Sequence, residues 1–381
     1  MIARELREII AAAISEAAAA GEIPAVETPD FVLERPRHKA HGDWATNAAL
    51  ALAGSIGRSP RDIASILAAR LREKGLSPGD EGEAGTLREV EVAGPGFINL
   101  TLSRDRVLRE LARVAGEGKD YGRWDFGGGR RFNVEFVSAN PVGPLHVGHG
   151  RWAALGDALC NLLAMVGYDV DREFYLNDFG TQMEVFAASV EARYLELSGV
   201  HAEFPAEGYH GTYVVDIART LLEEDGGSCT DRPGAERRAE LGERAYRIAL
   251  AHIKDSMESF GVHFDTWYSE RELQQGGAVE KEVRGLLEDG LAYEKDGAVW
   301  MATSRFGDDK DRVLVRTGGA PTYFAADIAY HLNKMQRGYD HLINIWGADH
   351  HGYVRRMQAA MEARGHPDRL EVILGQLVNL K

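Results

Sequence analysis

This sequence of 381 residues has only two cysteines and lacks both long apolar runs and an excess of basic residues. The two cysteines, Cys160 and Cys229, stand far apart without a CxxC spacing, which argues against a disulfide framework or a cysteine zinc site and favours a reducing, cytoplasmic setting. No run approaches the roughly 18 apolar residues of a membrane helix. The start, MIARELREII, mixes both signs of charge and lacks the pattern of a signal peptide. We therefore expect neither a disulfide-rich secreted protein nor a membrane protein.

Positive charge is in the minority, with 44 Lys and Arg residues against 59 Asp and Glu residues and a net charge of −15. The imbalance is uneven, because residues 1–125 carry 17 basic and 20 acidic residues whereas the remaining residues carry 27 and 39. Binding of a structured RNA needs only a local basic face, so the total charge weakens a nucleic-acid partner without excluding it. An acidic later part would also suit a cationic substrate.

Residues 1–120 have the pattern of a small α+β domain. Hydrophobic periodicity predicts helices over 2–20, 44–52, 61–74 and 104–115 and strands over 88–92 and 97–102. Asp43 stands at an N-cap-like position before the second helix, and Ser77–Gly85 is a turn-rich connector. Alternation in the second strand places Phe97 and Asn99 on the face opposite its apolar side chains.

A different pattern begins near residue 128. A strand over 132–137, a Pro/Gly loop over 140–145, a helix over 146–166 and a strand over 169–175 form a βαβ unit, which builds parallel sheets with ligands at the strand ends. Residues 186–310 are mostly helical and contain a hairpin signal at Asp296-Gly297. The parallel pattern resumes over 311–381 with a helix (322–335), a strand (341–345) and a helix (354–364). We therefore predict an α/β nucleotide-binding fold over 128–185 and 311–381, split by an insertion at 186–310.

The sharpest motif is His146-Val147-Gly148-His149, at the predicted strand-to-helix junction. A helix N-terminus offers unpaired N–H groups and partial positive charge, which suit phosphate, and two imidazoles three residues apart can reach the same group. Gly148 lacks a Cβ, so adenine could pack close to the backbone. These features suit attack of a carboxylate on the α-phosphate of ATP, which needs hydrogen-bond donors but no general base. The motif lacks the glutamate of HExxH, so a zinc site is not expected.

The residues around this motif carry a resemblance to a known family. Glu135–Arg151 (EFVSANPVGPLHVGHGR) closely resembles the signature of arginyl-tRNA synthetases, which is far more specific than HxGH alone. Further stretches resemble the same family in the same order: GDWATN (42–47), GPGFIN (94–99), NDFGTQ (177–182), FDTW (264–267), YFAAD (323–327) and WGADHH (346–351). The resemblance covers essentially the whole chain.

This resemblance implies a class I, Rossmann-type catalytic domain with a mostly helical insertion, preceded by a small α+β domain that binds the D loop of the tRNA. It also implies that ATP, arriving as Mg-ATP without a metal held by the protein, activates L-arginine for transfer to tRNA(Arg). We expect a cytoplasmic monomer. The catalytic residues implied are His146 and His149.

The resemblance assigns ligands to further positions. Those implied for ATP are Pro144, His146, Gly148, His149, Gly347 and Asp349. Those implied for arginine are Glu135, Ser138, Asn140, Gln182, Tyr323 and Asp327, and those implied for tRNA are Asp43, Asn47, Phe97 and Asn99. A guanidinium group is a planar fork of five donors, which the carboxylates and the tyrosine hydroxyl are expected to meet, whereas lysine lacks the fork.

Two departures from the family pattern affect activity. Gly143 stands where many members carry a lysine, and members with glycine there generally rely on a later KMSK loop, which this sequence lacks. Leu374–Lys381 resembles the segment that precedes KMSK, and no anticodon-binding domain follows it. We therefore expect a truncated chain that has little activity alone.

Three other interpretations remain open on the sequence alone. A small-molecule nucleotidyltransferase could use HxGH, but it would not need the amino-terminal domain or the predicted guanidinium ligands. A non-catalytic paralogue could bind tRNA only. An unrelated α/β protein could carry single matches by chance, in which Asp43 and Asn47 merely flank a helix and Asp327 is a solvated carboxylate.

Overall fold

The computed structural model of the protein describes residues 2–75 and 85–376, except for the side chain of Asp349. The chain divides into two compact units, Met1–Arg123 and Trp124–Lys381. Most of the predicted connector Ser77–Gly85 and the last five residues of Leu374–Lys381 lie outside the described residues. Within the described ranges, no helix is long and apolar enough to cross a membrane.

The first unit packs helices against one face of an antiparallel sheet. Its elements are α1 (Ile2–Ala19), β1 (Leu33–Glu34), β2 (Trp44–Thr46), α2 (Ala48–Ile56), α3 (Pro60–Gly75), β3 (Leu87–Ala93), β4 (Phe97–Leu102) and α4 (Arg104–Glu117). The strand order is β1-β2-β4-β3. The alternation of β4 has the predicted result that Ile98 and Leu100 are fully buried, and they pack with Leu6, Ile10 and Leu67 from the helices.

The predicted N-cap role of Asp43 is wrong. The short strand β2 separates Asp43 from α2, whose N-cap residue is Asn47. The three residues of β2 pair with β4, and a strand this short lacks the alternation by which it could be recognised in the sequence.

The second unit is built on a parallel sheet. Its elements are β5 (Arg131–Glu135), α5 (Val147–Met165), β6 (Asp169–Leu176), α6 (Thr181–Leu197), α7 (Thr212–Asp225), α8 (Gly234–Ser259), β7 (Thr266–Ser269), α9 (Glu270–Gln275), α10 (Ala278–Glu288), β8 (Ala292–Lys295), β9 (Ala298–Met301), β10 (Arg312–Val315), α11 (Tyr323–Gln336), β11 (His341–Gly347), α12 (His351–Ala363) and β12 (Leu370–Gly375). The sheet order β12-β11-β5-β6-β7 is parallel throughout. The predicted α/β class is confirmed.

One strand of this sheet lies where the sequence predicted the insertion. Residues 186–310 contain β7, which pairs in parallel with β6 and forms the sheet edge. All four of its residues are only half-buried, so the strand carries neither a buried apolar run nor an alternating pattern. The helices α6, α7 and α8 do form a separate layer with its own core, and β8, β9 and β10 form a small antiparallel sheet.

The strand order reverses direction at β5. The chain continues from β5 to β6 and β7 on one side, and later adds β11 and β12 on the other. In open parallel sheets, ligands bind in the crevice at the carboxyl ends of the strands where the order reverses. Here that crevice lies between the ends of β5 and β11, at Glu135 and Gly347.

Candidate active site

The two histidines of the HVGH motif form the amino-terminal end of α5. His146 is the N-cap residue, and its Nδ1 accepts a hydrogen bond from Gly148 N–H at 3.1 Å. His149 Nδ1 accepts from His146 N–H at 3.2 Å, and the rings stack with centroids 3.8 Å apart. A Cβ at Gly148 would lie 2.9 Å from the His146 ring. Glycine is therefore needed here because the imidazole packs against the backbone.

These hydrogen bonds decide which ring nitrogens carry protons. An Nδ1 that accepts a hydrogen bond has no proton, so each neutral ring has its proton on Nε2. Burial, followed by the neighbouring His146, lowers the pKa of His149 to about 4. At neutral pH, His149 is therefore an uncharged donor whose Nε2–H is not used by the backbone.

The loop after β5 has a strained backbone. Val137 and Ser138 both have positive φ, 71° and 40°, and this conformation is unfavourable for a β-branched residue. The Ser138 hydroxyl donates to Glu135 Oε1 at 3.1 Å and accepts from Tyr175 N–H at 3.2 Å. Next along the loop, Asn140 donates from Nδ2 to the Asn177 carbonyl at 3.0 Å. These bonds hold the strained loop against the end of β6.

A cavity of about 230 Å³ lies at the predicted crevice. Its walls come from the ends of β5, β6 and β11 and from α5, α11 and α12. The residues that line it include Glu135, Ser138, Tyr175, Asp327, Asn344 and Tyr353, together with Trp152, Trp346, Gly347 and His350. This volume is below the range usual for drug-sized ligands, so the cavity suits one small group better than a whole nucleotide.

Glu135 is buried in this cavity but is already paired. Its Oε2 lies 2.7 Å from Lys334 Nζ, and the lysine side chain is fully buried. Burial alone would raise the pKa of Glu135, but the attraction of Lys334, with hydrogen bonds from Lys334 and Ser138, more than offsets it and holds the pKa below its usual value. Glu135 is therefore ionised, and the charge of Lys334 balances it. Sequence analysis did not predict this ion pair.

Asp327, unlike Glu135, is a carboxylate with no ion-pair partner among the described residues. It is half-buried on α11, and its Oδ2 accepts a short hydrogen bond from the Tyr353 hydroxyl. Burial, with the negative charges of Glu135 and Glu270, raises its pKa to about 7, although Tyr353 and Lys334 oppose the shift. Among the described residues, no Lys or Arg lies within ion-pair distance of it.

Glu270, which the sequence did not single out, is the second such carboxylate. It is the first residue of α9 and is only 5% exposed. Burial raises its pKa to about 7, and the charge of Asp178 adds to the shift although Gln274 donates to it. Its charge contributes to the raised pKa of Asp327. Glu270 does not itself line the cavity, but it interacts with Asp327 and neither group has an ion-pair partner among the described residues, which makes them a candidate site for a cation.

Several predicted ligands do not line this cavity. Tyr323 is 79% exposed at the start of α11, one turn before Asp327. Gln182 is exposed on α6, and neither Asn140 nor the histidines of the HVGH motif line the cavity. Asp327 therefore lines this cavity, whereas Tyr323 and the imidazoles of His146 and His149 do not. The two imidazoles, at the start of α5, nevertheless lie on the crevice side of the sheet, as do Tyr323 and Asp327, because Trp152 of α5 lines the cavity.

Two more predicted ATP ligands lie at the loops that flank this crevice. Pro144 is exposed two residues before the N-cap of α5, and Gly347 lines the cavity at the end of β11. The backbone of Asp349 belongs to the short 3₁₀ helix Ala348–His350, but its side chain lies outside the described part of the chain.

In the first unit, most of the predicted tRNA ligands have structural partners. Asp43 accepts from Leu102 N–H at 2.9 Å, and Asn47 Oδ1 accepts from Val32 N–H at 2.8 Å. Asn99 is buried, contrary to the expectation that it shares an uncovered strand face with Phe97. Phe97, 38% exposed, and Asp43 are the two of these four residues that are exposed.

Comparisons with known proteins agree with this architecture. Residues 4–102 match the family described as arginyl tRNA synthetase N terminal domain, and residues 127–374 match that described as tRNA synthetases class I (R), catalytic domain. An arginine–tRNA ligase of Carboxydothermus hydrogenoformans is 49% identical over 381 residues, which is 100% of this chain and 67% of that protein. One from Moorella thermoacetica is 48% identical over 384 residues, with the same shares.

A solved structure has the same fold. The arginyl-tRNA synthetase of Thermus thermophilus superposes with a TM-score of 0.67 over 99% of this chain and 66% of that one, at 23% identity. The chain spans about two thirds of the length of the curated relatives that it matches. With both families matched in order and relatives near half identity, the chain belongs to the class I arginyl-tRNA synthetases.

Proposed function

We propose that this protein activates L-arginine with ATP and transfers it to tRNA(Arg), as a cytoplasmic monomer that receives magnesium bound to ATP. The arginine carboxylate attacks the α-phosphorus, the bond to the bridging oxygen of the β-phosphate breaks, and pyrophosphate leaves. A ribose hydroxyl of the tRNA then attacks the activated carbonyl carbon, and AMP leaves. Family membership supports this reaction, and the observation on which it depends is Asp327, a cavity carboxylate without a paired cation in the described part of the chain, on which the charge of Glu270 also acts.

The guanidinium group of arginine binds at Asp327 and Glu270 in this proposal. Both carboxylates are held in a partly desolvated place with pKa values raised to about 7, so a permanent cation would relieve their repulsion and ionise them fully. Guanidinium remains charged and presents several donors in one plane. Lysine offers a single ammonium group and could satisfy fewer of these acceptors.

The remaining groups of arginine would lie toward the end of β5. Ser138 and Asn140 would meet its amino and carboxylate groups, and Glu135, which is already paired with Lys334, would meet the amino group rather than the predicted guanidinium. Tyr323 and Gln182 are exposed in the absence of ligand, so they would contact arginine only after a movement of their side chains. Such closure is common when a substrate completes its own site.

ATP would bind next to this cavity, at the amino-terminal end of α5. The Nε2–H groups of His146 and His149 would donate to oxygens of the α-phosphate, where negative charge develops as the arginine carboxylate attacks. Pro144 and Gly148 would border the nucleotide, and Gly347 and Asp349 would border its ribose. A neutral His149 can act here because it stabilises charge by hydrogen bonding and transfers no proton.

The first unit would contact the outer corner of the tRNA. Phe97 is the residue best placed to stack on an unpaired base, because its ring is exposed at the start of β4. Asp43, Asn47 and Asn99 would support this surface through their bonds within the unit.

ATP–pyrophosphate exchange by the complete protein, with tRNA(Arg) present, tests the proposal. Exchange should depend on L-arginine and should be absent with L-lysine or L-citrulline. Binding of tRNA(Arg) without any arginine-dependent exchange would instead indicate a non-catalytic paralogue. Exchange driven equally well by other amino acids would contradict the assignment of Asp327 and Glu270.

A further inference from the structure

Two buried carboxylates stand side by side on the parallel sheet. Glu135 of β5 is in register with Glu173 of β6. Lys334 of α11 pairs with Glu135 at 2.7 Å, and Arg337, one turn later, pairs with Glu173 at 2.7 Å. Buried charges are costly unless each is paired. These two ion pairs therefore fix the same helix against two neighbouring strands.

The Lys334 pair continues toward the backbone of Asp327. Lys334 Nζ lies 3.4 Å from Asn344 Oδ1, and the amide nitrogen of Asn344 lies 2.9 Å from His331 Nε2. His331 Nδ1 lies 2.7 Å from the Asp327 carbonyl oxygen, so Nδ1 is the donor and Nε2 accepts from the amide. A continuous chain of hydrogen bonds thus joins Lys334 to the backbone of Asp327. Arg337 is not joined to Asp327 by these bonds: its partner Glu173 accepts a hydrogen bond from the hydroxyl of Tyr330, a different residue that lines the cavity.

Charged and titratable groups face Asp327 from every element around it. They are Glu135 of β5, Tyr175 of β6, Glu270 of α9, His331 and Lys334 of its own helix and Tyr353 of α12. Burial and the repulsion of Lys334 lower the pKa of His331 to about 4, so His331 is neutral. Lys334 is therefore the positive charge in this set, and the others are acidic or neutral near pH 7.

We propose that Lys334 is a positioning residue for arginine recognition, which holds Asp327 in place through Asn344 and His331 and keeps its carboxylate ready to receive a guanidinium group. This inference rests on the proposed arginine site. Lys334 neutralises Glu135, so of the two described carboxylates that line the cavity Asp327 carries the uncompensated negative charge, on which the charge of Glu270 acts. The guanidinium group should therefore bind at the end of the cavity where Asp327 lies.

The test measures arginine affinity against pH. L-arginine is titrated into the protein between pH 5.5 and 8.5, with fluorescence of Trp152 and Trp346, which line the cavity, as the signal. Affinity of the unaltered protein should rise with pH around 7, because bound guanidinium favours the ionised carboxylates. Lys334→Met removes the positive charge, so it should shift this midpoint upward by about 0.5–1 pH unit, as expected for one nearby charge.

Arg337→Met is the matched control. It removes the equivalent ion pair to the next strand, so it should lower stability without moving the midpoint. Glu135→Gln should shift the midpoint in the opposite direction, since it removes a negative charge near Asp327, and it keeps the inference testable if Lys334→Met does not fold.

The outcomes separate the two levels of the proposal. Normal binding by the unaltered protein, with an unshifted midpoint in Lys334→Met or an equal shift in Arg337→Met, overturns the role of Lys334 alone. Failure of the unaltered protein to bind arginine at any pH overturns the proposed function, and the positioning role with it.

Discussion

The polar residues singled out in the two units have opposite surroundings. In the first unit, Asp43 and Asn47 accept hydrogen bonds from backbone N–H groups, and Asn99 is buried in the sheet. In the second unit, Asp327 and Glu270 are buried or half-buried with no cation beside them among the described residues, and their pKa values are raised to about 7. A polar group with a local partner supports the fold, whereas a buried charge without one is available to a ligand.

Of the substitutions that test this contrast, Asp327→Asn should have the largest effect on function. Arginine affinity should fall by about a thousandfold, because losing one partner of a desolvated charge pair costs roughly 2–5 kcal/mol. Calorimetric titration with L-arginine measures it. Glu371→Gln, at a largely exposed carboxylate on β12, is the control and should bind normally. Equal affinities in the two variants would mean that the cavity does not hold the guanidinium.

His149→Ala should slow ATP–pyrophosphate exchange by about a hundredfold, because it removes a donor to the phosphate. The pKa of His149 is about 4, so the residue is already neutral above pH 5. Exchange should therefore show no change attributable to the titration of His149 between pH 6 and 8. His263→Ala, at an exposed histidine after α8, should exchange normally. A similar loss of exchange in His263→Ala would contradict the assignment of His149 as a donor to the α-phosphate.

Phe97→Ala should weaken tRNA(Arg) binding by roughly tenfold, since stacking of a base on an aromatic ring is worth about 1–3 kcal/mol. Thermal stability should hardly change, because the ring is exposed. A filter-binding titration measures the affinity. Val32→Ala, at another exposed apolar residue of the same unit, should leave it unchanged, and equal losses would show that Phe97 has no special contact.

Asp43→Ala should have the smallest effect, and on stability only. Loss of its hydrogen bond to Leu102 N–H should lower the free energy of unfolding by about 1 kcal/mol. Urea unfolding of the protein measures this. If tRNA affinity instead fell strongly at unchanged stability, Asp43 would be a tRNA ligand. The conclusion that the polar residues of the first unit support the fold would then be wrong.

The sequence predicted elements well where burial leaves a periodic pattern. The helix Pro60–Gly75 and the strand Phe97–Leu102 carry such patterns and lie where they were expected. Strand Thr266–Ser269 was missed because it is half-buried at the sheet edge. The position of Asp43 was misjudged because a three-residue strand has no detectable period.

The residues of the candidate site were harder to foresee. Asp327 was found through the family pattern, but Lys334 and Glu270 have no local signal, since a charged residue on a helix is usually solvated. One clue was present for Lys334: α11 is apolar almost all round, which indicates a buried helix. A charge in such a helix must be paired, although its partner on a distant strand cannot be read from spacing.

L-arginine and L-citrulline form the decisive pair of ligands for the proposed cavity, because they have nearly the same shape and differ in the charge of the side-chain end. Both are titrated calorimetrically into the protein at pH 8, where Asp327 and Glu270 are mostly ionised. We expect arginine to bind and citrulline to bind at least a hundredfold more weakly, as for the loss of a desolvated charge pair of roughly 3 kcal/mol. Equal affinities for arginine and citrulline would contradict the claim that the carboxylates of Asp327 and Glu270 recognise the charge of the guanidinium group.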